Sequence, residues 1–358
     1  MPLVAYNDLP TFQRLREAGQ DILSLEHARR LDTRELHIGL LNMMPDAALA
    51  ATEQQFMRLV GSSRQPAKFH VYPFSIRELN RGADAEEHIR RYYSTFDELR
   101  ADGLDALIIT GANVANPSLD QEQFWEPLTE VVRWAEANVA SILCSCLATH
   151  ALVKYQHAID RVRLPQKRWG VYRHSICEPA HPLMQDIETT FDAPHSRYNE
   201  IFRNQLEDAG LTILAESPDA GVHLAVSADG FRTIYFQGHP EYHAVSLLKE
   251  YKREVFRFIG GELDSPPPHP ENYFPDEAIA IASDFLDKCR AALEGGERIP
   301  RFPEEELAQF VHNTWTETGK AMVDNWLGLV CRLTNHDRKL QFMNGVDPKR
   351  PLDLLARY

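Results

Sequence analysis

Short apolar runs alternate with stretches of helical periodicity along the first part of the chain. The predicted strands are Leu36–Met43, Lys68–Phe74, Asp105–Thr110 and Ala140–Ser145, and the predicted helices are Ala51–Val60, Phe124–Val139 and Leu147–Val153. Near-continuous apolar strands are typical of a sheet that is covered on both faces. This alternation predicts an α/β fold with a doubly wound, mainly parallel sheet flanked by helices.

Three further strands are predicted at Leu211–Ala215, His223–Ser227 and Thr233–Gln237. The last two are separated by Ala228-Asp229-Gly230, which is a tight-turn sequence. A turn of this kind joins antiparallel neighbours, so part of the sheet is expected to be antiparallel.

The composition changes at Asp264–Pro275, a proline-rich connector that cannot be helical throughout. Beyond it, helices are predicted at Glu277–Leu293, Glu304–Val311 and Thr316–Leu333. The chain is therefore predicted to divide into a main domain, 1–263, and a mostly helical C-terminal extension, 264–358. The pattern leaves open whether this extension is a lid, a dimerisation element or a layer packed on the sheet.

Composition and charge narrow the classes of function. A formal net charge of −14 argues against broad binding to nucleic acid or to an anionic membrane. No apolar run approaches the about 18 residues of a membrane span, and the N-terminus lacks the pattern of a secretory signal. The five scattered cysteines favour reduced thiols, which predicts a cytoplasmic protein, and no spacing of cysteines or histidines indicates a metal site.

The candidate nucleophile is Cys146, at the junction of the Ala140–Ser145 strand and the following helix. This position lies at the carboxyl edge of the predicted sheet, where α/β proteins build their sites. The N-terminus of a helix favours the thiolate, and Ala148 provides the small neighbour that a sharp turn requires. The alternative interpretation is a buried structural thiol, which is the expected role of Cys144.

A cysteine nucleophile needs a base held by a third group. His239 follows a predicted strand and is flanked by Gly238 and Pro240, which end that strand abruptly, and Glu241 could orient its ring. His150 is the alternative base, although a residue one helical turn beyond Cys146 points along the helix rather than toward the site.

Several ordered blocks make the sequence resemble the homoserine O-succinyltransferase family of the class I glutamine amidotransferase-like superfamily. The blocks are Leu41–Pro45 (LNMMP), Thr52–Phe56 (TEQQF), Ile109–Ala112 (ITGA), Lys167–Tyr172 (KRWGVY), Ala193–Tyr198 (APHSRY) and Gly238–Tyr242 (GHPEY). The resemblance extends well over residues 1–260 and partially over the rest.

This resemblance implies a two-step acyl transfer that belongs to methionine biosynthesis. Cys146 would take the acyl group from acyl-CoA, and His239, oriented by Glu241, would deprotonate the homoserine hydroxyl. Lys167 matches a lysine near the acyl carbonyl, Ser196 a substrate-contacting serine, and Arg253 the arginine that binds the amino-acid carboxylate. The resemblance also implies a homodimer, with acyl-CoA as a co-substrate and no cofactor.

The donor is predicted from one position of the same resemblance. In the family, a residue shortly after the Thr-Gly-Ala strand end is small in succinyl-CoA users and glutamate in acetyl-CoA users, and here that residue is Ala115. A small uncharged side chain leaves room for a succinyl group, so succinyl-CoA is the expected donor. The alternative is an acetyltransferase acting on homoserine or serine.

Two other classes of function are weighed against acyl transfer. A glutaminase-like amidotransferase would need a synthetase partner or domain, and the chain has no glycine-rich ATP-binding loop. A non-catalytic binding protein could retain the same fold, since fold alone does not establish function. Replacing Cys146 would then leave acyl transfer unchanged.

Overall fold

A computed structural model describes residues 3–342 and 344–353. Within this part of the chain, eleven strands form one sheet in the order β2-β1-β4-β3-β5-β6-β11-β10-β9-β7-β8. The strands are β1 (Leu3–Ala5), β2 (Ile22–Ser24), β3 (Arg34–Leu41), β4 (Ala67–Phe74), β5 (Ala106–Ile109), β6 (Ser141–Ser145), β7 (Val162–Ile176), β8 (Thr190–Glu200), β9 (Thr212–Ser217), β10 (Gly221–Val226) and β11 (Thr233–Phe236).

Helices cover both faces of this sheet. They are α1 (Pro10–Glu17), α2 (Leu25–Arg30), α3 (Asp46–Gly61), α4 (Ala83–Tyr92), α5 (Phe96–Asp102), α6 (Trp125–Asn138), α7 (Leu147–His157), α8 (Arg203–Asp208), α9 (Ser246–Ile259), α10 (Asp276–Gly295), α11 (Glu304–Leu307) and α12 (Thr316–Leu333).

The strands from β2 to β11 in this order are parallel and form the wound half of the sheet. Side chains of one strand alternate between two hydrophobic clusters: Ile108 packs in the cluster on one face and Leu107 in the cluster on the other. Because apolar residues fill both faces, helices must cover both. The predicted doubly wound, mainly parallel α/β fold is confirmed.

The remaining strands β10, β9, β7 and β8 pair antiparallel. At the predicted turn, Asp229 Oδ1 accepts hydrogen bonds from two backbone N–H groups, and Gly230 has the positive φ of 82° that such a turn requires. The expected antiparallel pairing of β10 with β11 is confirmed. Strands β7 and β8, which form the far edge, were not predicted.

The C-terminal helices pack on the rest of the protein through two hydrophobic clusters. One cluster joins β7, α9, α10 and α11, and it includes the fully buried Trp315. Another joins α12 to α3 and the sheet through Trp326. Of the possibilities left open for this extension, the described contacts match a layer packed on the sheet, and the boundary between 263 and 264 stays a prediction. None of the described helices is long and apolar enough to cross a membrane.

Candidate active site

Cys146 lies in the one-residue connection between β6 and α7. Its backbone has φ 53° and ψ −111°, which is strained for a residue other than glycine. The Cys146 N–H donates to the Phe236 carbonyl of β11 at 2.8 Å, and the Cys146 carbonyl accepts from Thr149 at 3.0 Å. Held from both sides, the half-buried side chain stands at the N-terminus of α7, where the helix dipole stabilises a thiolate.

Small residues surround this turn. Ala148 is fully buried, and a Cβ added to Gly111 would lie 3.9 Å from Cys146 Cβ and 3.8 Å from the Leu147 nitrogen. Gly111 follows β5, the strand next to β6, so the loop that continues to Ala115 begins directly against the candidate nucleophile.

His239 and Glu241 follow β11, the other neighbour of β6, and they meet Cys146 at the same sheet edge. His239 Nδ1 donates to Glu241 Oε1 at 2.7 Å, and Ser145 Oγ donates to the same oxygen at 3.2 Å. His239 also shares a hydrogen bond with the Cys146 side chain. Since Nδ1 is used by Glu241, this bond to sulfur involves Nε2. The three predicted catalytic residues are therefore brought together.

The charge state of His239 depends on its two partners. Burial lowers the pKa of His239, but the Cys146 thiolate and the Glu241 carboxylate outweigh burial and leave the pKa well above its usual value. His239 therefore holds its proton more strongly than a free imidazole, and a protonated ring beside the sulfur is the arrangement that activates a cysteine nucleophile.

The segment that carries His239 is held by neighbouring helices. Arg58 of α3 donates to the Glu241 carbonyl at 2.9 Å, and Trp315 donates to the Tyr242 carbonyl at 2.9 Å. On α12, a Cβ at Gly319 would approach the Pro240 carbonyl oxygen to 2.6 Å, so only glycine allows this contact. The C-terminal extension thus contacts the catalytic turn directly.

The alternative residues lie elsewhere. His150 is buried within α7 and shares a hydrogen bond with Gln237 Oε1 at 3.1 Å, and burial lowers its pKa to about 3. Cys144 is fully buried, and burial raises the pKa of its thiol well above the usual value. Among the residues the structure describes, neither has a recorded contact with the Cys146 sulfur.

A buried carboxylate that the sequence interpretation missed joins the predicted substrate residues. Glu250, on α9, accepts hydrogen bonds from Ser196 Oγ at 2.5 Å and Tyr242 Oη at 2.7 Å, and Lys167 Nζ lies 3.3 Å away. Burial raises the pKa of Glu250, but the three donors lower it by more than burial raises it. The pKa of Glu250 therefore lies below its usual value. The Tyr242 ring stacks on His239 at 4.2 Å, which places this cluster beside the catalytic imidazole.

The sequence did contain a signal for Glu250. Glu250 sits between charged neighbours and resembles a solvated surface residue. It nevertheless shares the helical spacing of Leu247, Tyr251 and Glu254, which lie on the buried face of α9. A carboxylate on the buried face of an amphipathic helix needs partners, and this identifies it as a site candidate.

The other two predicted residues lie at the periphery. Arg253 is about half exposed, and its Nε donates to Glu254 at 3.1 Å. Ala115 is exposed in the loop after β5 and lines a cavity of about 350 Å³ together with Met43, Asn113 and Glu122.

The described part of the chain holds two groups of potential metal ligands, and within each group the ligand atoms lie within 4.8 Å of one another. One group is His174, His195 and His223, and the other is Glu35, His37 and His70. In the first group His174 donates to the Tyr172 carbonyl at 2.8 Å, His195 lies 3.0 Å from His174, and Arg197 donates to His195. These hydrogen bonds use the ring nitrogens of His174 and His195, and Arg197 adds a positive charge. In the second group the Lys68 ammonium lies 2.9 Å from Glu35. In the described residues, the ring nitrogens of His223 and His70 have no hydrogen-bond partner.

Comparison with known proteins agrees with the sequence blocks described above. A sequence model of the family described as homoserine O-succinyltransferase matches residues 2–336. A homoserine O-succinyltransferase of Methylococcus capsulatus is 59% identical over 99% of this chain and 100% of its own length. One of Allochromatium vinosum is 57% identical over 99% of each chain.

Among solved structures, a glutamine amidotransferase of Thermotoga maritima covers 82% of this chain and 97% of its own, with 9% identity and a TM-score of 0.44. Because the family match spans nearly the whole chain and full-length relatives are more than half identical to it, the chain belongs to the homoserine O-succinyltransferase family.

Proposed function

We propose that the protein transfers a succinyl group from succinyl-CoA to the hydroxyl of homoserine through a thioester on Cys146. The observation that carries this proposal is the Cys146–His239–Glu241 arrangement on a strained strand–helix turn, with the Glu250 cluster beside it. Family membership supports the choice of substrates, because the relatives carry the name homoserine O-succinyltransferase.

In the first half-reaction the Cys146 thiolate attacks the thioester carbonyl of the donor. A new carbon–sulfur bond forms, the carbonyl oxygen becomes an oxyanion, and CoA thiolate leaves as the carbonyl is restored. The N–H of Leu147, at the start of α7, and the Lys167 ammonium are the groups proposed to stabilise this oxyanion.

Acylation changes the protonation of His239 in the direction that the second half-reaction needs. The thiolate is the leading influence that raises the pKa of His239, and it disappears once the sulfur carries an acyl group. Burial then lowers the pKa, and the ring can release its proton to departing CoA. Neutral His239 next accepts the proton of the homoserine hydroxyl as that oxygen attacks the thioester, and the carbon–sulfur bond then breaks to release the ester and regenerate the Cys146 thiolate.

The Glu250 cluster is proposed to receive the amino-acid end of the acceptor. The Glu250 carboxylate suits the ammonium of homoserine, and the Arg253 guanidinium suits its carboxylate, since a planar fork can donate two parallel hydrogen bonds. Ser196, which already donates to Glu250, lies on the same side of the site.

A steady-state assay offering succinyl-CoA or acetyl-CoA with homoserine or serine tests the assignment. We expect the highest kcat/KM for succinyl-CoA with homoserine. A preference for acetyl-CoA would refute the argument from Ala115, and a preference for serine would refute the assignment of the acceptor. A homodimer and a cytoplasmic location stay predictions.

A further inference from the structure

Arg161 is a cation beside the site that has no ion-pair or hydrogen-bond partner among the described residues. It directly precedes β7 and is half-buried, and its Nε is closed off from solvent without a hydrogen-bond acceptor. In the described residues no carboxylate oxygen lies within 4 Å of its guanidinium, and no hydrogen bond to it is recorded. A guanidinium partly removed from water without a counter-ion is poised for an anionic ligand.

Other cations near the site are already engaged. Lys167 pairs with Glu250 at 3.3 Å, Arg197 with Glu200 at 3.3 Å, and Arg253 with Glu254 at 3.1 Å. The next arginine along the chain, Arg163, stacks on the Tyr198 ring at 4.5 Å. Arg161 differs from all of these, because its guanidinium has no ion pair, hydrogen bond or ring contact with any residue that the structure describes.

Arg161 lies close enough to the nucleophile for their charges to interact. Burial lowers the pKa of Arg161, while the Glu122 carboxylate and the Cys146 thiolate act in the opposite direction. Glu122 in turn accepts hydrogen bonds from the N–H groups of Ala115 at 2.8 Å and Asn116 at 2.6 Å. Arg161 is therefore near both the reacting sulfur and the carboxylate that fixes the loop of Ala115.

We propose that Arg161 binds the terminal carboxylate of the succinyl group while that group is carried by CoA and then by Cys146. This inference rests on the proposed function. Two methylene groups separate the succinyl carboxylate from its thioester carbonyl, so a cation that recognises it must lie near, but not on, the reacting carbon. Ala115 leaves space for the group, and Arg161 supplies the charge that a neutral acyl chain would not use.

Comparing succinyl-CoA with butyryl-CoA isolates this contact. The two acyl chains have the same length, but butyryl ends in a methyl group, and both donors carry the same CoA phosphates. We expect Arg161→Gln to lower the rate of Cys146 acylation by succinyl-CoA, measured as the first release of CoA, by roughly 10- to 100-fold. Acylation by butyryl-CoA should change by less than about threefold.

A second readout does not depend on turnover. In a Cys146→Ala background, Arg161→Gln should weaken the Kd for succinyl-CoA by a similar factor and leave the Kd for butyryl-CoA unchanged. Arg163→Gln is the matched control, because it removes an arginine two residues away, and it should leave the succinyl-to-butyryl ratio unchanged. Arg161→Lys keeps the charge and should retain part of the discrimination.

The possible failures have different meanings. An equal loss of rate for both donors at unchanged melting temperature would assign Arg161 to the CoA phosphates and overturn the proposal. An unchanged rate for both donors would also overturn it. A large fall in melting temperature in both Arg161 variants, with both donors affected equally, would show a structural role instead. If the wild-type chain forms no Cys146 adduct with succinyl-CoA, the proposed function itself fails.

Discussion

The parallel and antiparallel halves of the sheet contribute different parts of the site. The parallel half ends in Cys146, and its last strand leads into His239 and Glu241, so the proposed reacting groups come from adjacent strand ends. The antiparallel half and α9 contribute Lys167, Ser196 and Glu250. The proposed bond-making groups thus come from one half and the proposed substrate-holding groups from the other, with Tyr242 in contact with both.

This division predicts different kinetic consequences in the two halves. Loss of a group from the catalytic turn should impair the chemical steps with either substrate. Loss of Glu250 or Ser196 should weaken use of the amino acid and spare acylation by the donor, since ping-pong chemistry separates these events. Loss of Lys167 should slow acylation as well, because its ammonium is proposed to stabilise the oxyanion of that step.

The largest difference is expected between two histidines. His239→Ala should reduce kcat for succinyl transfer by about 10³-fold, because both the proton acceptor and the partner of the thiolate are lost. His150→Ala removes a buried ring that contacts Gln237 rather than Cys146, and it should reduce kcat by less than about 10-fold. Steady-state assays of both variants check this ranking, and the reverse order would mean that His150 is the base.

An intermediate effect is expected for Glu250→Gln in the antiparallel half. The amide keeps the shape but loses the charge, so KM for homoserine should rise roughly 10- to 100-fold. The first release of CoA from succinyl-CoA should change less than about threefold. Glu262→Gln, just beyond the same helix, replaces a carboxylate that pairs with Arg257 and should leave both quantities unchanged. Slow acylation in Glu250→Gln would contradict the assignment of Glu250 to binding of the amino acid alone.

The smallest effect is expected on the stability of the folded protein at acidic pH, to which buried histidines of both halves of the sheet contribute. Burial lowers the pKa of His37 in β3 to about 2 and that of His174 in β7 to about 4. These rings stay neutral in the folded protein, whereas unfolded histidines bind protons below about pH 6.5, so acid favours the unfolded chain. The melting temperature should be level above about pH 6.5 and fall between there and pH 4; a rise on acidification would contradict this account.

The sequence predicted the parallel half better than the antiparallel half. Helix α12 has the predicted bounds, Thr316–Leu333, and the strand–Cys146–helix order is as expected, because each depends on local periodicity. Strand β7 was missed because its polar, proline-containing first half lacks an apolar run. The strand is stabilised by pairing with β8, whose partner residues lie between 15 residues (Ser175 with Thr190) and 38 residues (Val162 with Glu200) away along the chain.

The same contrast applies to the site. Cys146, His239 and Glu241 lie beside recognisable strand ends, whereas Glu250 and Arg161 are identified by what surrounds them in space. In the part of the chain that the structure describes, Glu250 has three polar partners and Arg161 has no hydrogen-bond or ion-pair partner. Neither property can be read from neighbouring residues in the sequence.

Mass spectrometry of the chain after mixing with succinyl-CoA alone is the most direct test of the central claim. We expect a succinyl adduct on the peptide that contains Cys146, with the thioester located on that sulfur by fragmentation. Added homoserine should remove the adduct at the rate of turnover. Succinyl transfer without any adduct, or an adduct on Cys144, would contradict the assignment of Cys146.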